Sequence, residues 1–123
     1  MTVRALNVPI VVAGGLYLAT AAIHAFMGGP EVNAPVQASG LDPLVRAVSA
    51  VVWHALTAIF VVFGVALLWT ARRPSAALVW TVLAVSVAFV GLFLGGGVVA
   101  LGTVWPMPQW VLFGGIAGFW DGG

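Results

Sequence analysis

Cysteine is missing altogether from the 123 residues, and charge is nearly so: four Lys+Arg and three Asp+Glu in the whole chain. The first absence removes disulfides, thiolate metal sites, iron–sulfur clusters and cysteine nucleophiles, so a metal could be held only by His, carboxylate or backbone oxygen. The second excludes an ordinary soluble domain, because with 63% hydrophobic residues there is too little polar side chain to cover a folded surface in water. A net charge of +1, made by single residues and one arginine pair, gives no basis for nucleic-acid binding and argues against a polybasic lipid-binding patch. One small domain also leaves no room for a separate soluble catalytic module.

What is present is a set of long uncharged runs. The charges stand at Arg4, Glu31, Asp42, Arg46, Arg72, Arg73 and Asp121. The intervals between them are long enough to cross a hydrocarbon core of about 30 Å at about 1.5 Å per residue. The interval after Arg73 would make a single helix of roughly 70 Å, so it must turn once. The place for the turn is Trp105-Pro106-Met107-Pro108, where two prolines remove amide donors and disfavour the helical region before them.

The expected fold is therefore all-α: a polytopic membrane protein with four transmembrane helices in a small bundle, spans at about 8–28, 47–70, 75–99 and 108–120, and an outer loop at 29–42. Asp42-Pro43 reads as an N-cap followed by proline at the first helical position. Gly95-Gly96-Gly97 is expected to weaken the third span, and the fourth is short. The N-terminal run is too long for the apolar region of a signal peptide and reads as a retained span. Arg4 and the Arg72–Arg73 pair fall on one side, which under the positive-inside rule puts both termini in the cytoplasm. Arg46 dissents, and is expected to snorkel to headgroups or to pair with Asp42 or Glu31.

Two polar stripes interrupt the apolar spans. Tyr17, Thr20 and His24 recur at helical spacing on the first, and Arg46, Ser49, Trp53, His54 and Thr57 share a broad face of the second. A polar group in hydrocarbon seeks a partner inside the bundle, so the two faces are expected to meet. Both histidines fall in the outer half of the membrane. Three chemistries suit them: a haem b held by His24 and His54, a metal held by His24, His54 and Glu31 with the outer loop folded back, or hydrogen bonds that specify packing. Packing is the reading the sequence favours. Gly14-Gly15, Gly91 with Gly95, and Gly114-Gly115 with Gly118 read as small-residue patches for close helix approach. No Ser or Thr has an acid–base partner, so the sequence gives no support for a nucleophilic triad.

The segments His24-Ala25-Phe26-Met27-Gly28-Gly29-Pro30-Glu31-Val32, Trp53-His54-Ala55-Leu56-Thr57 and Pro108-Gln109-Trp110-Val111-Leu112-Phe113 resemble those of small uncharacterised four-span bacterial membrane proteins of similar length. The resemblance implies the four-span architecture and a bacterial inner-membrane location, and it draws attention to His24, Glu31 and His54. It implies no activity. Small multidrug transporters are of similar size, but their mechanism needs a carboxylate in the first span and none is here. The sequence thus leads to an accessory or structural membrane subunit whose partners are the lipid bilayer and either other membrane proteins or copies of itself. A haem- or metal-binding redox protein, and an oligomeric transporter of protons or small solutes, are the alternatives.

Overall fold

The computed structural model describes residues 6–118. The chain forms four helical rods. The first is continuous from Val8 to Gln37, made of α1 (Val8–Ile23), a π-helical stretch (His24–Asn33) and α2 (Ala34–Gln37). It is followed by α3 (Pro43–Thr70), α4 (Ala76–Leu101) and α5 (Gln109–Gly118). The three long rods have 30, 28 and 26 residues and are apolar enough to cross a membrane.

The start of each of the three long rods is fixed by a side-chain cap that accepts from an amide the helix cannot satisfy itself. Asn7 Oδ1 accepts from Ile10 at 3.3 Å, Asp42 Oδ1 from Leu44 at 2.8 Å, and Ser75 Oγ from Leu78 at 3.3 Å. The Asp42-Pro43 reading is thus realised. α4 ends on Gly102 at φ 70°, a left-handed conformation that glycine enters without a Cβ penalty.

Two expectations are corrected. The outer loop is not 29–42: the helix runs through Gly29 and Pro30 to Gln37, and the connection is only residues 38–42. Pro30 in an α-helix would collide with the carbonyl four residues back. The wider π turn, with bonds such as Ala34 N–H to Gly29 O, carries the rod past it. At about 45 Å the rod exceeds the hydrocarbon thickness of about 30 Å.

The glycine triplet does not break the third span, which stays helical to Leu101. Gly97 instead accommodates the returning chain: a Cβ there would lie 2.8 Å from the Thr103 carbonyl oxygen. The turn itself falls at residues 102–108, around the predicted prolines. Finally, the described part of α5 is 10 residues, about 15 Å of helix and half a hydrocarbon core. The expected end of that span, Trp120, lies outside the described residues, as do Arg4 and Asp121.

α1 packs along α3, α5 packs along α4, and the two pairs meet at a central cluster. Tyr17, Phe60 and Phe113, from α1, α3 and α5, are each buried, with ring centroids 5.6 to 6.2 Å apart. Phe89 of α4 stands 4.9 Å from Phe113. Aromatic side chains bury large areas with few rotatable bonds, which suits a core assembled where four thin rods converge.

Candidate functional site

The polar stripes are sorted by depth into three levels. At the middle, Tyr17 is 0% exposed and bonded to Ser86 of α4, which is also 0% exposed. Ser86 Oγ donates to the Val82 carbonyl at 2.8 Å, so the Tyr17 hydroxyl is the donor between the two side chains. The ring of Tyr17 meets Phe63 edge-on at 5.6 Å. Thr20 turns its hydroxyl back onto the Leu16 carbonyl at 2.7 Å and seeks no partner across the bundle.

One turn further on, His24 opens the π-helical stretch and faces α3. Its Nδ1 lies 2.7 Å from Thr57 Oγ1. The imidazole is stacked on the Trp53 indole at 3.9 Å between centroids and 19° between planes, and Phe60 presents an edge at 5.6 Å. Gly28 makes room for that indole, since a Cβ on Gly28 would stand 3.0 Å from Trp53 Cζ2. Thr57 also reaches the Trp53 carbonyl at 3.3 Å. The bond to Thr57 occupies Nδ1, and the tautomer protonated there, with the Thr57 hydroxyl turned to the Trp53 carbonyl, is the one that leaves the Nε2 lone pair open.

Near the connection between the first rod and α3, Arg46 and Gln37 hold each other. Arg46 Nη1 donates to the Gln37 carbonyl at 3.0 Å, and Gln37 Nε2 donates to the Arg46 carbonyl at 3.0 Å and to Asn33 Oδ1 at 3.3 Å. Arg46 Nε is buried without a hydrogen-bond partner. The expectation that Arg46 pairs with Asp42 or Glu31 gives way to this clasp, because the rod extends to Gln37 and brings its carbonyl to α3, while Asp42 caps Leu44.

The face predicted for α3 is divided. Trp53 and Thr57 point at His24 and Ser49 is half-buried, whereas His54 is exposed. Glu31 is exposed as well. Among the described residues no three His, Asp or Glu side chains form a group able to hold a metal, so His24, His54 and Glu31 are not brought together as the expected three-ligand site. The helical continuation through residues 29–37 is the reason: the loop that was to fold back does not exist. The sequence reading missed Ser86, whose only signal was a lone hydroxyl deep in an apolar run, and Gln37, which looked like loop.

The fold thus defines a class: an all-α protein with three helices long and apolar enough to span a bilayer, and with its polar side chains concentrated between the first two. Compared with protein families, with curated proteins and with solved structures, the chain matches none.

Proposed function

We propose that the chain is a multi-pass structural subunit of the bacterial inner membrane that acts by helix–helix association, with copies of itself or with a larger membrane protein. The observation that carries this reading is the outward face of α4. Ala77, Thr81, Ala84, Ala88, Gly91 and Gly95 recur at alternating spacings of four and three residues, and all six are exposed. That is a heptad seam of small residues about 27 Å long, nearly the hydrocarbon thickness. A Cβ on Gly91 or Gly95 would meet nothing within 4 Å. In lipid, where apolar surface alone gives no drive to associate, small residues matter because they let backbones come close. The outward face of α3 is built differently, from Val48, Val51, Val52, Ile59 and Val62, side chains suited to lipid.

The chain already uses this chemistry internally. Gly14 on α1 and Gly64 on α3 face each other so closely that a Cβ on either would stand 3.0 Å from the other's carbonyl oxygen. The proposed orientation places the Arg72–Arg73 turn and both termini in the cytoplasm.

The test is the mass and company of the full chain extracted in mild detergent. A defined oligomer or a stoichiometric partner, reduced by Ala88→Leu or Gly91→Leu, is the expected result. A monomer without partners, unaltered by either substitution, would refute it.

A second reading is favoured by one observation, the orientation of His24. Its Nδ1 is held by Thr57 and its Nε2 has no partner among the described residues, the arrangement in which a second-shell bond prepares a histidine for a ligand. A haem b or another His-ligated metal at His24 is that reading. A transport path finds less support, because the stripe runs into the sealed cluster of Tyr17, Phe60 and Phe113.

A further inference from the structure

We propose that the end of α3 carries a binding site for the headgroup of an anionic phospholipid. Val65, Leu68, Trp69, Arg72 and Arg73 line an open groove of about 500 Å³. Their spacing of three, four, seven and eight residues from Val65 puts them on one side of the helix end. Along about 12 Å of axis the lining passes from aliphatic to indole to guanidinium, the order of acyl chain, interface and phosphate in one leaflet.

The arginines are positioned, and no carboxylate among the described residues lies beside them. The Arg72 and Arg73 amides donate to the Trp69 carbonyl at 3.1 and 3.0 Å, which curls the turn so that both side chains leave from the helix end. The Arg73 guanidinium lies 4.9 Å above the Trp69 ring. Such stacking uses the cation's face and leaves its in-plane N–H groups free to fork onto phosphate oxygens. Both carboxylates among the described residues, Glu31 and Asp42, are at the opposite end of the molecule. The α3 C-terminus opposes an anion with roughly half an elementary charge, against two whole cations. This is not a polybasic patch; it is a two-arginine site made by a groove. A free phosphate would leave Val65 and Leu68 unused, whereas a lipid covers both halves. The proposed orientation places the groove in the cytoplasmic leaflet, where anionic lipids supply the complementary charge.

The experiment titrates the full chain in neutral detergent with brominated phosphatidylglycerol and, separately, brominated phosphatidylcholine, reading tryptophan quenching. Each arginine near an anionic surface is worth about fivefold in binding, so phosphatidylglycerol is expected to bind at least ~10-fold tighter. Arg72→Gln with Arg73→Gln is expected to abolish the preference, and Trp69→Phe to remove most of the selective quench. Equal quenching by the two lipids in the unsubstituted chain overturns the proposal without reference to any variant. So does a preference that survives the double substitution in monodisperse protein, or displacement of the lipid by millimolar inorganic phosphate, which would mark a free-anion site instead.

Discussion

The Tyr17 hydroxyl donates to Ser86, a residue 69 positions away, and this buried bond joins the first helical rod to α4. Because Ser86 also donates to Val82, every proton in the chain of bonds has an acceptor. Removing the tyrosine hydroxyl therefore leaves no orphan donor, which limits the cost. Tyr17→Phe and Ser86→Ala, combined in a double-mutant cycle read by unfolding in detergent, should give a coupling of about 0.6 kcal/mol and no more than about 1.7 kcal/mol. A coupling near zero would mean the hydroxyls do not meet.

The Gly14–Gly64 crossing predicts a sharper asymmetry. A Cβ on Gly64 would come 2.7 Å from Leu18 Cδ2 and 3.0 Å from the Gly14 carbonyl oxygen, and the backbone atom cannot step aside as a side chain can. Gly64→Ala should therefore cost about 1–3 kcal/mol through overpacking. Gly15→Ala, where nothing lies within 4 Å, should be neutral or slightly stabilising, since alanine is the better helix former. Equal melting temperatures for the two variants would contradict this crossing.

These two contacts mark what a sequence can disclose here. Long uncharged intervals, Asp42-Pro43 and the paired prolines near 105–108 are local signals, and helices, caps and the last turn follow from them. That polar side chains of the first two rods meet was legible too, because adjacent antiparallel rods bring such faces together, but the sequence did not single out Thr57 as the partner of His24. What was not legible depended on a break in helical regularity. Gly28-Gly29-Pro30 reads as a turn under α-helical rules, and only the π-helical widening carries the rod on to Gln37. That single departure shortened the loop, gave Arg46 its partner, and left Glu31 outside a three-ligand group with the histidines. His54, about 100° round the helix from Trp53, is exposed and takes no part in the stack on His24.

Sidedness can be read chemically because there is no native cysteine to confuse it. A Cβ at Gly40, in the connection between the first rod and α3, meets open space, and Pro74 is exposed in the turn before α4. Gly40→Cys should react with a membrane-impermeant maleimide in intact cells. Pro74→Cys should react only after permeabilisation. The reverse pattern would invert the orientation argued from the arginines.

The two histidines should respond oppositely to substitution. His24 is stacked between Trp53 and the edge of Phe60 and bonded to Thr57, whereas His54 is exposed. His24→Phe keeps the stack and loses the bond, leaving Thr57 still able to donate to Trp53, so the expected cost is about 1 kcal/mol. His24→Ala also opens a cavity beside the indole and should cost about 2–4 kcal/mol, while His54→Ala should stay within about 0.5 kcal/mol. Those values describe a packing histidine. A ligand at Nε2 adds a separate signature: protein from cells supplied with haem and metals would show a Soret band or stoichiometric metal, and His24→Phe would lose it despite its small effect on stability. A spectrum with only the tryptophan band, alongside that order of stabilities, leaves His24 as the polar lock between the first two rods and returns the weight of function to the outer face of α4.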